Sequence, residues 1–161
     1  MDYSKADRPS VDQQNDKVLG ANDKIQDFLD QQRQKWSNEI HPLFDALRSS
    51  DAKMFLDIQA NSLSLRQKLT EEITNYLSKI SKDKTKLNKC LADRTEYYMH
   101  GFGMKTTDRQ QREMINRDLA QTQRSMEMLE LHVEFLRETR VACDNIGYAV
   151  KNKLGFMTYL Q

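Results

Sequence analysis

The sequence is poor in the residues that make turns. Five glycines and two prolines in 161 residues are too few for an all-β sandwich, for a glycine-loop α/β enzyme, or for a Pro/Gly-rich disordered chain. No run approaches the roughly 18 consecutive apolar residues of a membrane-spanning helix. The opening MDYSKADRPSVDQQ lacks the basic-then-apolar pattern of an export signal, so a cytoplasmic protein with no membrane partner is expected. Cysteine is scarce too. Cys90 and Cys143 belong to no motif, and each falls where a helix would bury it, which predicts two reduced core thiols. His41, His100 and His132 lie far apart with no Cys or His at ligand spacing, so no metal site is expected. A phosphate-binding glycine loop, a nucleophile elbow and a triad spacing are also missing, so the expectation is no enzyme and no cofactor.

What is present favours helix. Eight methionines accompany abundant Gln, Leu and Lys, all good helix formers. With 38% hydrophobic and 8% aromatic residues and a mean hydropathy of −0.82, the apolar residues must form narrow stripes buried helix on helix. The expected fold is all-α, with long helices in an antiparallel hairpin or coiled-coil arrangement that self-associates.

Residues 1–20 are polar, include Pro9 and Gly20, and are expected to be disordered. Residues 21–50 read as an N-terminal helical extension, starting at Asn22 or Asp23 and broken or kinked at Pro42. Trp36 and Phe44 within it suit capping a neighbouring helix or docking a partner. Ser49, Ser50 and Asp51 offer a link and a fresh cap for residues 51–161. His100-Gly101-Phe102-Gly103, followed by Thr106, Thr107 and Asp108, predicts a reversing loop over 99–107. The flanking helices are then antiparallel. On the second of them Val133, Leu136, Cys143, Val150, Leu154 and Met157 recur at heptad-like spacing, and Ile146 belongs to an adjacent apolar row. Two seams exceed what one antiparallel partner covers, so these seven residues are expected to meet another subunit. Gly147 and Gly155 share a face of that helix. Each costs about 1 kcal/mol relative to Ala, which close helix approach would offset.

Charge is unevenly spread. Twenty-five basic residues nearly balance 24 acidic ones, yet from Lys79 to Arg117 ten basic residues stand against five acids. Lys79, Lys82, Lys86 and Lys89 recur at steps of three and four, a sector about 80° wide on a helix. Tyr97 falls near that side and Tyr98 on the apolar side, while Arg94 lies at the edge between them. A lysine face of this kind is also what a solvated helix presents. Scarce acids, two tyrosines at its end and further basic residues beyond the glycines favour a single-stranded nucleic acid, whose phosphates meet lysines while bases stack on an aromatic.

Arg94-Thr95-Glu96-Tyr97-Tyr98-Met99-His100-Gly101 resembles the Arg-x-acid-Tyr-Tyr-x-x-Gly segment of the UvsY recombination mediators of T-even-type bacteriophages. The lysine-bearing helix upstream, and His132-Val133-Glu134-Phe135-Leu136-Arg137 with Asn145 to Lys151 downstream, are similar to the same family, so residues 55–161 carry the likeness. The family's second basic residue, two positions before the arginine, is replaced here by Ala92. The resemblance implies a non-catalytic protein of the host-cell cytoplasm that forms a ring-like homo-oligomer such as a hexamer or heptamer. It also implies binding to single-stranded DNA and loading of a RecA-like recombinase (UvsX-type) onto strands coated by a phage single-strand-binding protein. Arg94 carries over from the motif as a DNA contact; Lys79, Lys82, Lys86, Lys89 and Tyr97 follow from the stripe. The rival reading is a structural coiled-coil phage assembly or scaffolding protein without DNA binding.

Overall fold

A computed structural model describes residues 11–48, 51–101, 103 and 107–159. Every regular element among them is helical: α1 (Val11–Ala46), α2 (Ala52–Glu96) continued by a π-helical turn (Tyr97–Gly101), and α3 (Asp108–Tyr159). At 1.5 Å per residue α2 and α3 run about 68 and 78 Å. The starts of α2 and α3 follow local chemistry. Asp51 is extended and its carboxylate accepts the Lys53 N–H at 2.9 Å. Thr107 and Gln110 cap each other, the Thr107 N–H donating to Gln110 Oε1 at 3.0 Å and the Gln110 N–H reaching Thr107 Oγ1 at 3.4 Å, a capping box.

Two expectations change along α1. Its first turns begin at Val11, inside the segment read as disordered; residues 1–10 lie outside the described residues. Pro42 sits within the helix without ending it. The lost N–H bond falls one turn from the C-terminus, where Leu47 and Arg48 N–H groups still bond the Leu43 and Asp45 carbonyls, so the helix loses little. Glu96 is also not the end of the first long hairpin helix, because the π-turn carries it to Gly101 and shortens the expected reversing loop.

The helices run up, down and up. Ser62 bonds the Cys143 carbonyl, Lys84 pairs with Glu130 and Tyr98 with Asp118, so α2 and α3 are antiparallel over their whole length. Asn22 meets Ser125, the Arg33 guanidinium lies over the Phe135 ring, and Lys153 reaches the Leu47 carbonyl, so α1 runs parallel to α3. The three helices enclose one core, and beyond it α2 and α3 continue as a two-helix arm with a smaller cluster of Tyr98, Ile115 and Leu119. On α2 the buried row steps Phe55, Ile58, Ser62, Leu65, Leu69, Ile73 and Ile80. Two consecutive four-residue steps at Leu65–Leu69–Ile73 break the heptad and locally unwind the coil, beside Glu72, where Trp36 of α1 donates its indole N–H at 3.1 Å.

This core corrects the interface assignment. Val133, Leu136, Cys143, Ile146 and Val150 are at most 2% exposed within the single chain, and Leu154 and Met157 pack against the same cluster. α1, read as an extension, supplies the second partner that the surplus seam requires. Close approach at the tail glycines is likewise not what the chain does, since a Cβ on Gly147 or Gly155 would meet nothing within 4 Å.

One buried residue is left without hydrogen bonds. His132 is fully enclosed between the Tyr76 ring, edge-on at 4.8 Å, and Phe135, and neither ring nitrogen has a partner among the described residues. Burial, reinforced by the Arg33 guanidinium and opposed by Asp30, lowers its pKa from 6.5 to about 4. Folding therefore excludes a proton that the unfolded chain binds. Stability should be fully present above pH 6.5 and fall as pH drops toward 4, by up to about 3 kcal/mol. Urea titrations across that window check this, and His132→Leu should flatten the slope. Leu136→Ala should cost about 3 kcal/mol, whereas Leu131→Ala, on the surface, should change thermal stability by less than about 0.5 kcal/mol.

Candidate nucleic-acid interface

The tyrosine end of the site sits on the two-helix arm, and the lysine row runs back along α2 beside the three-helix part, where Ile80 is buried. The π-turn adds one residue to the last turn of α2 and rotates the side chains that follow. Tyr98 points inward, 9% exposed, and its hydroxyl donates to Asp118 Oδ2 at 3.0 Å. Burial and that carboxylate raise the Tyr98 pKa, so the phenol stays protonated and remains a donor. Tyr97 points outward and meets Tyr98 edge-on with ring centres 5.2 Å apart. Gly101 lets the chain close over it: a Cβ there would stand 3.3 Å from the Tyr97 ring, tighter than packing favours.

Arg94 lies on the same carboxylate, its Nε 3.5 Å from Asp118 Oδ2. The expected DNA contact is thus partly committed to bracing α2 against α3, while half of its side chain stays exposed. Asp118 was not legible as a site residue. The signal available was indirect, a phenol on an apolar face that needs an acceptor and an arginine at the seam's edge that needs an acid.

The lysine stripe is where the spacing puts it. Lys79, Lys82, Lys86 and Lys89 are all exposed on the outer side of α2. Lys86 approaches Asp83 at 3.5 Å, and among the described residues the other three make no ion pair. Lys84 differs, crossing to Glu130 on α3 at 2.8 Å. On α3, Arg109 pairs with Glu113 at 3.0 Å while Arg112 borders a groove of about 420 Å³ together with Leu91, Thr95, Met99, Ile115 and Asn116. The stripe and the tyrosines share α2 and its π-turn but not a single face: Tyr97 stands at one end of the row, and the groove lies on another flank.

The thiols divide. Cys143 is buried and its pKa is pushed up to about 11 by burial and Asp144, which makes it inert. Cys90, expected in the core, is exposed, because the inward position beside it is taken by Leu87, which packs against the arm cluster. Among the described residues no His, Cys, Asp and Glu cluster could hold a metal, and no helix is long and apolar enough to cross a membrane.

Tyr98→Phe should remove the Asp118 hydrogen bond at a cost of about 1 kcal/mol, read as a lower urea midpoint. No protein-family model, curated protein or solved structure matches this chain.

Proposed function

We propose that the protein is a recombination mediator of the UvsY type. It binds single-stranded DNA on the outer side of α2, without a catalytic step, and helps a RecA-like recombinase displace single-strand-binding protein in phage homologous recombination, repair and recombination-dependent replication. Its setting is the cytoplasm of the infected host. The observation that carries this reading is the row Lys79, Lys82, Lys86 and Lys89, exposed along one side of α2 with three of its four cations unpaired among the described residues. Phosphates spaced along a flexible strand can meet such a row, and Tyr97 at its end offers a ring to a base.

One copy makes few contacts, so binding by a single chain is weak and salt-sensitive. Several copies engaging one strand raise the avidity by about 10² to 10⁴, which is why self-association, in a ring or otherwise, belongs to the proposal. A strand held along several arms is bent away from its coat, and recombinase nucleates on what is freed. Arg94, braced on Asp118, would contribute its outer edge.

Fluorescence anisotropy with labelled oligo-dT at several salt concentrations tests the reading. Lys82→Ala with Lys86→Ala and Lys89→Ala should weaken binding and reduce the slope of log affinity against log salt by about 2, at roughly 0.7 per phosphate contact on a single strand. An unchanged slope would move the contact to another face. Absence of salt-dependent binding by the wild type would instead favour a structural coiled-coil assembly protein, whose lysines only solvate the arm.

A further inference from the structure

Tyr97, 46% exposed, offers a ring at one end of the lysine row, and at the other end α1 comes alongside. Burial raises the Glu72 pKa, opposed by the Trp36 indole and the Lys35 charge and reinforced by Glu39, so these three residues mark the side of α1 that faces α2. At about 100° per residue Phe28 points between Lys35 and Glu39. One heptad along α2 from Glu72 is Lys79, and one heptad back along α1 from Lys35 is Phe28. The two helices are antiparallel, so both steps run the same way and bring Phe28 beside Lys79. Register against α3 agrees. Asn22 meets Ser125 and Arg33 lies over Phe135, which sets Phe28 level with Glu130. The α2 residues that reach that part of α3 are Tyr76, at His132, and Lys84, at Glu130 itself.

What α1 presents there suits the same ligand as the row. Phe28 is 50% exposed while Leu29 beside it is 1% exposed, so the ring looks out of the junction and not into the core. Lys24, one turn before it on the same side, is exposed and makes no ion pair among the described residues. The acids of this stretch, Asp23, Asp27 and Asp30, point about 100° or more away from Phe28. A cation and an open ring on one helix thus lie against a row of cations on the next, and phosphates and bases are what the two together match. We infer that the strand runs along the junction of α1 and α2, with a base stacked on Phe28 and a phosphate on Lys24. α1 is then part of the binding face as well as the cover of α3. From Lys79, beside Phe28, to Tyr97 the helix rises about 27 Å, the length of about eight nucleotides at the roughly 3.4 Å spacing of a stacked strand.

The inference rests on the nucleic-acid reading above, and the oligo-dT titration separates the two. Phe28→Ala should weaken binding about tenfold with the salt slope unchanged, while Lys24→Ala should lower that slope by about 0.7. Phe28→Leu, which keeps apolar bulk and loses the aromatic face, should bind like Phe28→Ala. Oligo-dT should quench the exposed indole of Phe28→Trp, whereas the emission of the wild type, from buried Trp36 alone, should not change. Wild-type affinity in Phe28→Ala or Phe28→Leu, or an emission of Phe28→Trp that oligo-dT leaves unchanged, would overturn the inference while the lysine row kept its role. A wild type without salt-dependent binding would sink the nucleic-acid reading, and the assignment of α1 with it.

Discussion

α3 carries more apolar surface than one helix can cover, and the rest of the molecule is arranged around that constraint. Leu136, Ile146 and Val150 are completely enclosed only because α2 packs on one side of α3 and α1 on another. In a chain this polar, each stripe is narrow, and its burial needs a partner of matching length and phase. α1 meets that need as far as Asn22, beside Ser125. Beyond it the hairpin continues with two helices and a thinner core of Tyr98, Ile115 and Leu119, where a polar contact, Tyr98 and Arg94 on Asp118, joins the apolar ones.

That division arranges the chemistry. The three-helix part is where polar groups are costly: His132 sits there without a hydrogen bond, and Glu72, its pKa raised mainly by burial, is held by the Trp36 indole. The arm has fewer buried groups. The lysine row lies alongside the three-helix part, where Ile80 is buried, and among the described residues none of its four cations pairs with an acid of α1.

Much of this was readable from the residues. Asp51 and Thr107 announced their helix starts because capping is local chemistry, and the glycines after His100 announced the reversal. The lysine row was placed by period alone. Partnership was harder to read. Periodicity shows that Val133 to Met157 must be covered but not by what, and a polar α1 containing Pro42 looked like an appendage although it is the cover. Asp118 escaped for a related reason, since its role exists only once α2 and α3 are paired. Tyr98 turns inward and Tyr97 outward as their period predicts, although the π-turn that carries them has no composition signature of its own.

Trp36 is the chain's single tryptophan, and it is 3% exposed at the junction of α1 with α2. Its emission is therefore a local reporter. Separation of α1 from the hairpin would expose the indole to water and shift its fluorescence to the red, while the backbone hydrogen bonds of three long helices, and with them the ellipticity at 222 nm, would stay largely intact. Light from one side chain thus distinguishes undocking of the first helix from melting of the helices themselves, a distinction that most helical bundles offer only after a probe has been introduced.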